Sequence, residues 1–140
     1  MPPRSATLAA ALKPVDEKIT INLGYVDLGQ IDLLVQQGFY ANRTDLIRAA
    51  IRNQLVTHAD AVKQAVARQM LVLGIQHFSA ADLRAVQAAG QTLQIRVLGL
   101  ASIGTEVTPK LALATIDSLV VLGALHASPA VKAALAGRIR

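Results

Sequence analysis

The chain has 140 residues, of which 53% are apolar and only 3% aromatic, so its core must be built from Leu, Val, Ile and Ala. That length accommodates one ordinary domain, or a very small module plus a second compact piece, and the absence of cysteine excludes disulfides, thiolate metal sites and cysteine nucleophiles. The net charge of +5 invites a nucleic-acid reading, but the first sixty residues hold six basic against six acidic side chains and the surplus falls in the second half, so local patterning must carry any such reading.

At the N-terminus, Arg4 followed by Ala6 to Leu12 has the outline of a short signal segment. The apolar stretch sits at the short limit and runs directly into polar sequence, so residues 1–16 are read as a flexible arm. The longest apolar runs, Met70 to Ile75 and Leu119 to Leu125, fall far short of the ~20 residues a membrane helix needs. A cytoplasmic, nucleoid-associated protein is expected.

From Glu17 to Leu23 the chain alternates, with Lys18, Thr20 and Asn22 on one side and Ile19, Ile21 and Leu23 on the other. That is the period of a half-buried β-strand. Gly24 ends it, and Asp27 with Gln30 three residues later predicts a capping-box start for a helix. Leu28, Ile31, Leu34 and Val35 recur at helical spacing as far as Gly38, a C-cap residue. After Phe39 to Ala41, Asn42 with Asp45 marks a second start, and Leu46, Ile47, Ala50, Ile51 and Leu55 share one face. One strand and two amphipathic helices in about 40 residues bury too little to close a core alone. A second copy is required.

The segment 17–55, with Lys-Ile-Thr-Ile-Asn-Leu in the strand and Tyr-Ala-Asn-Arg-Thr-Asp-Leu-Ile-Arg-Ala-Ala-Ile-Arg at the second helix, resembles the ribbon-helix-helix superfamily of Arc-, MetJ- and CopG-type repressors. The resemblance implies an intertwined homodimer whose paired strands form a two-stranded antiparallel ribbon that enters the major groove of double-stranded DNA. It implies that Lys18, Thr20 and Asn22 contact base edges, as Lys to guanine, Asn to adenine and Thr as a mixed donor and acceptor can. It further implies phosphate contacts at Asn42, Arg43 and Thr44, where a helix N-terminus offers backbone N–H groups to an anion. Asn42 stands where many members carry serine, and it caps equally well. The bland alternative makes Lys18, Thr20 and Asn22 the solvated face of an edge strand. Arg48 and Arg52, one turn apart, read as a solvated or ion-paired face.

Helical pattern continues through Ala59 to Arg68 as a linking helix. Beyond it, Leu71-Val72-Leu73-Gly74-Ile75, Arg96-Val97-Leu98-Gly99-Leu100 and Val120-Val121-Leu122-Gly123-Ala124 align without gaps at spacings of 25 and 24 residues. Each is followed by a helix signal: Ser79 with Asp82 and a terminating Gly90, then Thr108-Pro109, then Ser128-Pro129. One strand and one helix per unit predict stacked repeats, with parallel strands on one face, helices on the other, and glycines 74, 99 and 123 in a column. An ordinary α/β domain with partly accidental repetition is the competing reading. Three units offer a single helical layer, so the other sheet face, or the open edge, should meet another copy.

The fold class is therefore α+β: an arm (1–16), a ribbon-helix-helix module (17–57), a linker helix (58–69) and three solenoid-like βα repeats (70–140) that oligomerise or sense. Some ribbon-helix-helix regulators bind nickel through histidines and a cysteine. This chain has only His58, His77 and His126, and equivalent positions two strands apart lie ~10 Å from each other, too far to share one ion. No cofactor, metal or catalytic residue is expected, because phosphate-loop, nucleophile-elbow and HExxH patterns are absent. The leading function is a sequence-specific transcriptional regulator of the repressor type, not an enzyme. Two alternatives remain: a filament-forming scaffold attached to DNA, and an antitoxin, against which the apolar, patterned second half argues.

Overall fold

The computed structural model describes residues 16–140, so the arm expected over residues 1–16 lies, apart from Asp16, outside the described residues. Two compact units divide the chain, one of Lys18–Ala65 and one of Val66–Arg140 with Glu17.

In the first unit, residues 18–24 form no regular element, and the strand expected over 17–23 pairs with no strand among the described residues. Helix α1 (Tyr25–Gln36) follows, starting three residues earlier than the sequence predicts. Gly24, extended at φ −64° and ψ 152°, is the N-cap and its carbonyl takes the first helical bond from the Leu28 amide. Asp27 is therefore not the cap. It sits in the first turn, where its charge favours the positive end of the helix dipole. Gly38 ends α1 as expected. At φ +85° it closes a Schellman turn, with Phe39 N–H bonded to Leu34 and Gly38 N–H to Val35.

Helix α2 (Arg43–Thr57) is capped by Asn42, and a break at His58 separates it from α3 (Ala59–Gln69). The predicted stripes make the contacts that exist: Leu28, Ile31 and Val35 on α1 and Leu46 and Ile47 on α2 are half-buried. No side chain from Lys18 to Ala65 is fully buried.

The second unit runs β1 (Val72–Phe78), α4 (Ala80–Ala88), β2 (Leu93–Ile103), α5 (Pro109–Thr115), β3 (Ile116–His126) and α6 (Pro129–Leu135), then a 3-10 turn (Ala136–Arg138). The strands form one parallel sheet in the order β1-β2-β3. Its register places Val72 beside Val97 and Val121, Leu73 beside Leu98 and Leu122, and Gly74 beside Gly99 and Gly123. The alignment read from the sequence is thus the alignment of the strands. Ser79, Thr108 and Ser128 each accept a bond from the amide three residues on, and Ser79 with Asp82 completes a reciprocal capping box. Pro109 and Pro129 occupy the first helical positions, where the missing N–H costs nothing.

The core lies between sheet and helices. Ile95, Val97, Ala101 and Ile103 from β2 and Ile116 and Leu119 from β3 meet Leu83, Ala112, Val131 and Leu135 from the helices, all buried. Each such branched side chain contributes roughly 1.5–3 kcal/mol by leaving water.

Two of the polar ties within this unit are not visible in the sequence pattern. The loop between β2 and α5 carries Glu106, whose carboxylate accepts the Ala80 amide at 3.1 Å and so satisfies an open N–H at the start of α4. Near the C-terminus, Arg138 donates to the carbonyls of Leu113 and Ile116, and Ile139 forms a parallel bridge with Leu119 through the Arg140 amide at 2.8 Å.

Candidate nucleic-acid interface

The site expected from the sequence is distributed over an extended segment and one helix end, both within the first unit. Along 17–24 every side chain is exposed, polar and apolar alike: Lys18, Thr20 and Asn22 on one alternation, and Ile19, Ile21 and Leu23 on the other at 74, 58 and 41%. Exposed apolar side chains clustered in this way mark an interaction surface. Tyr25, Val26, Phe39 and Leu55 add to it, all more than half exposed.

At the start of α2, Asn42 Oδ1 accepts the Asp45 amide at 2.8 Å, and Asp45 reaches back to the Ala41 amide at 3.0 Å. The pair therefore brackets the helix start, with Asp45 bonding one residue beyond the usual capping-box partner. Among the described residues the backbone N–H groups of Arg43 and Thr44 have no acceptor. A 15-residue helix thus presents two open donors and the positive end of its dipole at one place.

The Arg43 side chain has a partner that the sequence did not indicate. Its guanidinium grips the Asp32 carboxylate in a bidentate pair at 2.7 and 2.8 Å, tying α1 to α2. The hydrogen bonds from Arg43 hold the Asp32 carboxyl below its ordinary range and raise Arg43 above its own. The two stand eleven residues apart on different helices, so no period within one element connects them. Nη1 of Arg43 stays outside the fork. Arg52 donates to the Arg48 carbonyl at 3.3 Å, and both arginines stay on an exposed face, as read from their spacing.

In the second unit the histidines fall where the repeat puts them: His77, Ser102 and His126 lie in one register row. His77 Nδ1 is 3.1 Å from Ser102 Oγ, and His126 Nε2 is 2.6 Å from Glu17 Oε1. Each histidine thus has its own partner. Among the described residues no group of three or more His, Asp or Glu side chains is placed to hold a metal ion, and no helix is long and apolar enough to cross a membrane.

The first unit thus offers a fully exposed segment followed by two helices, the second with two open amide donors at its start. The chain belongs to the ribbon-helix-helix transcriptional regulator family, whose family model matches residues 14–132. The match extends well past the 17–55 segment that carries the sequence resemblance, through all three strands and into α6. No curated protein and no solved structure compared with the chain matches it significantly.

Proposed function

We propose that the chain is a homodimeric, sequence-specific repressor that lays an antiparallel ribbon, residues 17–23 of two copies, into the major groove of DNA. The observation that carries this reading is the burial of the first unit: from Lys18 to Ala65 not one side chain is buried. A strand with one apolar side and two amphipathic helices gain a core only by interleaving with a second copy. Pairing the strands covers Ile19, Ile21 and Leu23 and leaves Lys18, Thr20 and Asn22 outward, in the chemistry that reads guanine and adenine edges.

Asn42, Arg43 and Thr44 then hold the DNA backbone. The Arg43 and Thr44 amides supply the donors, Asn42 fixes the helix start, and the Arg43 guanidinium, braced by Asp32, keeps Nη1 for a phosphate oxygen. Asp32 is a positioning residue in this account. The βα units, 70–140, form a short solenoid that joins copies, and the protein works on the nucleoid in the cytoplasm without catalysis.

The test is selection of bound sequences from random duplex DNA, followed by affinity for the selected site at fixed salt. Wild type should select a palindromic site. The Thr20→Ala/Asn22→Ala variant should lose the preference while keeping salt-dependent nonspecific binding.

A further inference from the structure

The outer edge of β1 is chemically an interior strand. Residues 71–78 contain no charged residue and no proline, the devices by which exposed strand edges are normally protected from pairing. Residues 72–74 repeat Val97, Leu98 and Gly99 of β2, and Ile75 stands beside Leu100, but the cover differs. Val72 and Ile75 are 45 and 53% exposed, whereas their register partners Val97 and Leu100 are 0 and 7% exposed. Leu73 is 70% exposed.

Gly74 shows the same incompleteness in the backbone. A Cβ at Gly99 would strike the Gly74 carbonyl, and a Cβ at Gly123 would strike the Gly99 carbonyl, so each bare Cα admits the strand before it. Gly74 is the equivalent position of the first strand, and among the described residues a Cβ there would meet nothing. Beside it lies a hollow of about 360 Å³ lined by Val72, Gln76, Phe78, Leu93 and Ile95 among others.

We infer that the edge of β1 pairs antiparallel with β1 of a second copy, joining two three-stranded sheets into one six-stranded sheet across a twofold axis. Head-to-tail stacking would need the opposite edge, and that edge already holds Ile139 and Arg140 against Leu119. Self-pairing through β1 closes, whereas head-to-tail stacking would grow without limit. No lysine, arginine or carboxylate on the strand opposes the contact; His77 is its one titratable side chain. A seven-residue edge buries less than the ~800 Å² per partner of a stable interface. The pairing therefore rests on the proposed reading that residues 17–57 already hold two copies together, which raises their effective concentration.

The cysteine-free chain allows a direct test. Single cysteines are placed at Val72, Leu73, Ile75, Gln76 and, as a control on β3, at Leu122, and a separate Thr20→Cys variant probes the ribbon. Each full-length variant is oxidised mildly at low micromolar concentration and its disulfide-linked dimer is measured. Antiparallel self-pairing sets one residue opposite itself, so the rate should peak at one β1 position and fall at least tenfold on either side and at residue 122. Adding Leu73→Lys to the peak variant, or Ile75→Lys where residue 73 is the peak, should abolish the cross-link, and adding Leu122→Lys should not.

Equal rates along β1 and at 122, or equal loss with Leu122→Lys, would mean face-to-face packing and overturn the inference. So would absent β1 cross-links with slow, concentration-independent hydrogen exchange of residues 72–78, which would mean that residues 1–15 of the same chain cover the edge. Cross-linking at residue 20 without any at β1 sinks the inference alone. Absence at both sinks the dimer reading with it.

Discussion

The carbonyl oxygen of Gly74 occupies the space that a Cβ on Gly99 would need. The obstacle is backbone, held by the sheet's own hydrogen bonds, so it cannot swing aside. Gly99 also stands at φ +140°, which disfavours any L side chain. Gly99→Ala should therefore destabilise the second unit by on the order of 3 kcal/mol. Gly74→Ala carries only the strain of its φ of +124° and should cost about half as much. Chemical denaturation of both variants checks the order, and equal losses would show that φ alone decides.

Met70 takes the place normally given to glycine. It follows α3 at φ +54°, with its own amide bonded to Ala67 and the Leu71 amide to Val66, the two bonds of a Schellman turn. The side chain is 79% exposed and loses little by removal. Met70→Gly should raise stability by about 0.5–1 kcal/mol, the left-handed penalty less the added entropy of glycine. A lower melting temperature in this variant would contradict the assignment.

Two carboxylates make the second unit acid-sensitive. The Ala80 amide, then the residue's own amide, holds Glu106 below its ordinary pKa, with smaller help from His77 and Arg84. The Ser79 backbone amide, then its hydroxyl, does the same for Asp82. A folded pKa below the unfolded value means stability that is full above roughly pH 5 and declines as pH falls through about 4 and below. Glu106→Gln and Asp82→Asn should each flatten that acid limb of the denaturation midpoint, and an unchanged limb would remove these groups from the account.

Loss of the α2 cap separates folding from DNA contact. Asn42→Ala removes the acceptor of the Asp45 amide and should cost about 1 kcal/mol of stability. Asn42→Ser restores an acceptor and should recover most of it. If the helix start also holds phosphate, Asn42→Ala weakens binding to all DNA sequences by a similar factor, which gel-shift titration against specific and random duplexes would read.

Much of the second unit was legible because its information is local and repeated. Val-Leu-Gly at spacings of 25 and 24 fixes the register, and Ser79, Thr108-Pro109 and Ser128-Pro129 mark helix starts through bonds spanning three residues. Asp27 misled because a carboxylate in the first turn and one at the cap look alike in sequence, and Gly24 took the cap instead. The ties of Arg43 to Asp32, Glu106 to Ala80 and Arg138 to Leu113 join residues 11 to 26 positions apart on different elements, so no period within one element connects them. Within the candidate interface, Asn42 was legible as a cap, whereas residues 18–23 expose both of their alternations and the brace on Arg43 was not legible.

The most direct test of the central claim is the affinity ratio between a selected DNA site and random duplex at fixed salt, for wild type and for Thr20→Ala/Asn22→Ala. The account predicts a wild-type preference of 10³-fold or more that falls at least tenfold in the variant, while binding to random DNA stays nearly unchanged. A wild type without preference, or a variant that keeps it in full, would contradict a base-reading ribbon at residues 17–23.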